Sequence, residues 1–135
     1  MIAVDSSVVV AAFATWHEHH GAAIRTMGTE PMIADHALLE GYAVLTRLPS
    51  PHRAPTGIVV TYLESVFPSD RVLTPPHGVI TTLPRRCHEA GLGGGATYDA
   101  LIGLTCADAG AELVTLDLRS LRNLQALGVP ARLAA

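Results

Sequence analysis

The sequence predicts an α/β fold: a parallel sheet of about four to five strands flanked by helices. Three observations point there. Short β-rich runs alternate with longer helical ones along the whole chain, the order that builds βαβ units. The 135 residues are near the commonest domain size, and no linker, internal repeat or low-complexity tract divides them. Hydrophobic residues make up 49% and charged residues only 16%, ample for a core and too apolar for a disordered chain.

Residues 2–5 read as the first strand, and Ser6 or Ser7 is placed to cap a helix over 8–14. A second helix is expected over 17–27, closed by Gly28, followed by a short strand over 31–34. Asp35 or His36 opens a helix to Leu48, which Pro49 stops. Residues 50–55 form a loop and 56–67 a helix. Residues 71–74 form a strand, ended by Pro75-Pro76. The next helix runs to Ala90, kinked or restarted at Pro84, with Gly91 at its C-terminal cap. After the turn at Gly93-Gly94-Gly95, Thr97 is the expected cap of a helix over 98–109. A strand over 112–116 ends in Asp117, a helix over 118–127 ends at Gly128, and residues 131–134 form a final edge strand.

Composition excludes several classes. The longest early apolar run, residues 8–14, is far short of the ~20 residues that a spanning helix needs. No positive charge precedes the apolar start and Asp5 interrupts it, so no secretory signal is expected. Two cysteines, Cys87 and Cys106, are too few for a disulfide framework and read as packing residues, which makes a reducing cytoplasm the expected compartment. All 9 basic residues are arginine. The absence of lysine excludes P-loop NTPases, Schiff-base enzymes and phospho-aspartate folds that need one.

Four carboxylates sit in apolar company. Asp5 and Asp117 fall at the C-terminal ends of their strands, the edge where open parallel sheets bind ligands. Glu40 shares a helical face with His36, Ala37, Ala43 and Val44, and Asp99 shares one with Ile102, Gly103 and Cys106. Burying an unpaired carboxylate costs several kcal/mol, and none of the four has an arginine at helical spacing. Convergence around divalent cations resolves the cost, and oxygen-only donors suit Mg²⁺ or Mn²⁺. Asp5 and Asp117 equally fit as helix caps, and Asp99 as a favourable charge at a helix N-terminus.

Taken in order, Asp5-Ser6-Ser7, Glu40, Tyr98-Asp99-Ala100 and Val114-Thr115-Leu116-Asp117 resemble the PIN domain, in particular the VapC-type ribonuclease toxins of bacterial toxin–antitoxin pairs. The resemblance covers essentially the whole chain and implies one PIN-like nuclease domain over residues 1–135, an α/β/α sandwich. It implies that Asp5, Glu40, Asp99 and Asp117 form a catalytic metal site for Mg²⁺, with Mn²⁺ as substitute. Ser7 and Thr115 would orient these carboxylates from behind. The implied reaction is metal-assisted hydrolysis of phosphodiester bonds in structured RNA such as tRNA or rRNA, leaving a 5′-phosphate and a 3′-hydroxyl. Two positions depart from the family pattern: Gly41-Tyr42 lacks the basic residue often found there, and Leu118 replaces a usual arginine. A VapB-type antitoxin whose C-terminal segment blocks the groove, and a homodimer, are the partners the resemblance implies; no membrane is involved.

The net charge of −3 looks unfavourable for RNA, but setting the four acids aside leaves eight acidic residues against nine arginines. Arg119 and Arg122, Arg85 and Arg86, and Arg47 with Arg53 are candidate phosphate contacts, because guanidinium pairs bidentately with phosphate. His17, His19 and His20 invite a zinc reading, but only His17 and His20 share a helical face and no third ligand joins them. The rival readings are a non-catalytic PIN-like module that binds RNA or protein, and an aspartate-nucleophile phosphatase. The latter needs an Asp two residues after Asp5, where this chain has Ser7, and a lysine.

Overall fold

Five short strands, all parallel, form one sheet in the order β3-β2-β1-β4-β5. The structure is a computed structural model describing residues 1–135. The strands are β1 (Ile2–Val4), β2 (Met32–Ala34), β3 (Val72–Leu73), β4 (Glu112–Thr115) and β5 (Ala131–Leu133). Helices α1 (Ser6–Phe13) and α2 (His20–Met27) connect β1 to β2, and α3 (Asp35–Arg47) and α4 (Thr56–Val66) connect β2 to β3. Helices α5 (Val79–Ala90) and α6 (Ala96–Asp108) lead to β4, and α7 (Leu118–Ala126) to β5. Helices cover the sheet, which is why the strands read as apolar runs: Ala3, Val4, Ile33, Leu113 and Val114 are fully buried.

The register is fixed by pairs such as Val4 with Ile33 on one side and Val4 with Val114 on the other. From β1 the chain moves one way along the sheet to β2, and from β4 it moves the opposite way to β5. The C-terminal ends of β1 and β4 therefore flank a topological switch point, where diverging loops leave a crevice.

Several expected boundaries shift for identifiable reasons. Helix α1 starts at Ser6, and its cap is Asp5 itself, whose carboxylate accepts from the backbone N–H groups of Ser7 and Val8. Helix α2 starts at His20 because residues 15–19 form turns in which His17 Nδ1 accepts the His19 N–H at 3.0 Å. Helix α5 runs through Pro84 without interruption; the proline is exposed while Leu83 and Cys87 pack inward on α6. Thr97 lies inside α6, whose cap position is Gly95 with no side-chain bond. The third strand is reduced to two residues behind a 3-10 turn at Ser69–Arg71.

Helix α6 is buried on most of its circumference, with Ala100, Leu101, Ile102, Gly103, Thr105 and Cys106 all inside. It packs beneath the sheet beside α7 so closely that a Cβ built on Gly103 would stand 2.2 Å from Leu124 Cδ2. Both cysteines are free and buried, as packing residues should be. Burial pushes the Cys106 thiol up to about 12, with the Asp5 charge adding to the effect. No helix is long and apolar enough to cross a membrane.

Candidate active site

Asp5, Glu40, Asp99 and Asp117 line one cavity of about 90 Å³ at the switch point, together with Ser6, Ser7 and Ser120. Its floor is apolar, formed by Ile102, Leu113 and Leu124. No arginine or histidine lines it. The chain's ion pair between arginine and carboxylate lies elsewhere, Glu112 with Arg132, and Glu18 contacts His19 at 3.4 Å.

Asp5 is only 7% exposed, because β1 delivers it from the centre of the sheet. Four donors hold it. Its Oδ1 accepts from the N–H groups of Ser7 (3.0 Å) and Val8 (3.4 Å) and from the Ser7 hydroxyl (2.5 Å). Its Oδ2 accepts from the Thr115 hydroxyl at 2.5 Å. Each hydroxyl in turn accepts a backbone N–H from the loop after β4: Leu116 donates to Ser7 Oγ at 2.9 Å, and Asp117 to Thr115 Oγ1 at 3.0 Å. An oxygen that already accepts an N–H turns its own proton away, here toward Asp5. Burial nevertheless dominates these donors and pushes the Asp5 carboxyl up to about 6.

Glu40 lies in the second turn of α3, and the Ser6 hydroxyl donates to its Oε1. Asp99 lies in the first turn of α6 and is half-buried; Asn123 of α7 donates to its Oδ2 at 3.1 Å. Burial raises the Asp99 carboxyl above its ordinary range, opposed by Asn123 and Ser120 and reinforced by the charges of Glu40 and Asp117. Asp117 is exposed at the rim and caps α7, with Oδ1 accepting from Arg119 (2.8 Å) and Ser120 (3.3 Å). The helix-capping and cavity-lining roles of Asp5 and Asp117 thus coincide. The capping carboxylates also face the positive ends of their helices.

Ser120 and Asn123 join the site without having been singled out in the sequence, and Ser6, expected only as a helix cap, joins it through Glu40. Ser120 carried a signal: with Asp117, Leu121 and Leu124 it occupies one helical stripe, so a small polar residue faces inward. A further contact braces the two carboxylate-bearing helices. His36, one turn before Glu40, stacks on Tyr98, the neighbour of Asp99, with ring centroids 5.1 Å apart and planes 4° from parallel.

Arg119 lines an open groove of about 510 Å³ that also contains Asp99, Asp117 and Asn123, whereas exposed Arg122 lies one turn further along α7. No three of the chain's His, Cys, Asp and Glu side chains close into a ready metal cage, so the acids line walls instead of forming a finished ligand set. The histidine cluster does not form one either, and His20 Nδ1 is engaged with the Ala11 carbonyl at 2.8 Å.

Comparison with known proteins agrees with this architecture. The family model described as PIN domain matches residues 2–127. Ribonuclease VapC40 of Mycobacterium tuberculosis (strain ATCC 25618 / H37Rv) is 44% identical over 133 residues, covering 98% of this chain and 98% of that protein. Ribonuclease VapC27 of the same strain is 35% identical over 135 residues, covering 99% and 97%. A chain in the structure of FitAB bound to an IR36 DNA fragment superposes with a TM-score of 0.73. That match covers 99% of this chain and 95% of the other at 14% identity, a likeness of fold.

Proposed function

Because the chain belongs to the PIN-domain family, with strong homology to VapC-type ribonuclease toxins, we propose that it is the endoribonuclease toxin of a toxin–antitoxin pair. The observation that carries the reading is the cavity: four carboxylates from four separate segments share about 90 Å³ with no basic side chain to balance them. Such a site is complete only with a cation, and its all-oxygen donors suit a hard divalent ion.

In this reading Asp5, Glu40, Asp99 and Asp117 are the catalytic residues and hold Mg²⁺, or Mn²⁺ in its place, directly or through water. The bound ion would supply Lewis acidity toward water and the scissile phosphate, and would offset charge developing on the phosphoryl oxygens. The chain's own residues keep the carboxylates ready. Ser7 and Thr115 fix both oxygens of Asp5, Ser6 holds Glu40, and Asn123 with Ser120 steadies Asp99. Asp117 commits Oδ1 to the end of α7, which leaves Oδ2 for the cavity. Arg119, beside Asp99 and Asp117 in the adjoining groove, is placed to pair with a phosphate of the bound strand, and Arg122 extends that row.

The substrate in this reading is structured RNA such as tRNA or rRNA, and residues 1–135 act as one nuclease domain in the cytoplasm. The partner is a VapB-type antitoxin. A homodimer is supported by the exposed apolar groove of about 400 Å³ between α3 and α4, which Leu38, Leu39, Tyr42 and Val60 line. The phosphatase alternative loses ground, because Ser7 fills the position two residues after Asp5 and donates to it. The test is cleavage of total RNA with Mg²⁺, compared with Asp99→Asn and with EDTA. Metal-dependent 5′-phosphate ends from the wild type alone are the expected result. Binding without cleavage would make the chain a non-catalytic module.

A further inference from the structure

Outside the carboxylate cavity, four rings stand in a row. Trp16 lies 4.0 Å from His52 between ring centroids, at 32°, and 5.9 Å from His17, which lies 5.7 Å from His19. Trp16 is the chain's single tryptophan, and it is 51% exposed. Neither Trp16 nor His52 is part of the core, and the row joins the α1–α2 turn to a loop at the far end of α3. A large exposed ring surface left outside the core marks a contact surface.

The row leads to the site. His17 and His19 line a groove of about 440 Å³ that shares Ser6, Ser7 and Asp117 with the carboxylate cavity. At the opposite end of the row, Arg53 follows His52 directly and adds a guanidinium, anchored by its Nε donating to the Leu48 carbonyl at 2.9 Å. Of the two acidic residues of the groove, Glu18 and Asp117, Glu18 lies 3.4 Å from His19 Nε2 and is largely exposed to solvent, which screens its charge.

We infer that the His52–Trp16–His17–His19 row is a base-stacking track that takes an unpaired RNA segment beside the scissile phosphate. The inference rests on the nuclease reading and specifies its substrate: single-stranded, or looped out of a fold. Stacking on aromatic faces requires bases already freed from a helix, since paired bases hide their faces. Edge readout of a duplex would call for side chains that reach into a groove, whereas these rings follow one another at centroid spacings of 4.0–5.9 Å, tilted 32–44° to one another, and only His17 and His19 line the groove itself. The track tolerates any base, because every base has a π-face. It therefore selects for unpaired structure, not for sequence.

The test uses the full chain carrying Asp99→Asn, so that RNA is bound without being cut, and reads Trp16 emission. The probe is a short unstructured RNA of mixed sequence, compared with the same RNA as a duplex. Saturable quenching by the single strand, and affinity about ten-fold weaker for the duplex, is the expected result. Trp16→Ala should weaken single-strand binding by about ten-fold in anisotropy, while Trp16→Phe should restore most of it. In the cleaving protein, Trp16→Ala should raise KM and leave kcat unchanged. Equal quenching by duplex, or unchanged affinity in Trp16→Ala, overturns the track. Unchanged RNA affinity with an altered sedimentation mass in Trp16→Ala also overturns it, by giving the face to a second copy of the chain. If RNA quenches Trp16 but the wild type cuts nothing, the nuclease reading fails and the track stands.

Discussion

The Thr115 hydroxyl donates to Asp5 Oδ2 at 2.5 Å, joining residues 110 positions apart, while accepting the Asp117 N–H at 3.0 Å. One small side chain on β4 thereby fixes a carboxylate at the end of β1 and the backbone of a second acid on the next loop. The Ser7 hydroxyl mirrors it between Asp5 Oδ1 and the Leu116 N–H. The two hydroxyls stand 3.3 Å apart, so Asp5 is gripped from both oxygens by a pair that also anchors the β4–α7 turn.

Replacing Thr115 by Val keeps the shape and removes both functions. A fully buried acceptor and donor pair disappears, which costs about 1–3 kcal/mol. Because the Thr115 donor holds the Asp5 carboxyl down, its loss should raise that group further above about 6 and move the acidic limb of the pH–rate profile upward. Urea denaturation and a cleavage profile across pH measure the two effects. An unshifted limb would mean that Thr115 does not act through Asp5.

Asp5 itself should make stability depend on pH with an unusual sign. Its carboxyl is pushed from 3.8 to about 6 on folding. Between those values the native state keeps a proton that the unfolded chain has released, so stability falls as pH rises through the window and is flat above it. The shift corresponds to about 3 kcal/mol. Asp5→Asn has no proton to lose, so its stability relative to wild type should improve by up to about this amount between pH 4 and pH 7. It should also abolish cleavage. Denaturation of both proteins at the two pH values decides it, and a constant difference would refute the shift.

Divalent cations should stabilise the wild type. Binding to the native state alone adds about 3 kcal/mol at a hundred-fold excess over Kd, seen as a rise in Tm with Mg²⁺ or Mn²⁺. Asp99→Asn should flatten the titration and raise the metal-free Tm, since it removes a half-buried charge facing Glu40 and Asp117. Differential scanning fluorimetry across millimolar metal gives both readings. A flat wild-type curve would leave the carboxylates without their cation.

Element order and sheet type were legible because short apolar strand runs alternate with longer helical segments, and so were the acids, because each interrupts apolar company. What sequence missed was tertiary. Asp5, Ser6 and Ser7 are all good caps, and only the strand ending at Val4 selects Asp5. Thr97 looks like a cap, yet the preceding glycine turn starts α6 one residue before it. Asn123 reads as ordinary helix surface until α6 is laid against α7. The ring row depends on His52, which lies in a loop that nothing in the chain's periodicity brings to Trp16.

The close approach of α6 and α7 yields the last expectation. A methyl on Gly103 would stand 2.2 Å from Leu124 Cδ2, which leaves no room for it, while Val129 Cγ1 at 3.4 Å would be in ordinary contact. Leu124 is almost fully buried and forms part of the cavity floor, hence it cannot swing outward without disturbing the site. Gly103→Ala should therefore cost about 1–3 kcal/mol through overpacking, although alanine is the better helix former. Pushing α7 away also lengthens the Asn123–Asp99 bond, so cleavage should fall even where the protein remains folded. Trimming Leu124 to Ala in the same chain makes room for the methyl. The double variant should then be more stable than the sum of the single losses, the coupling expected of two side chains that compete for one space.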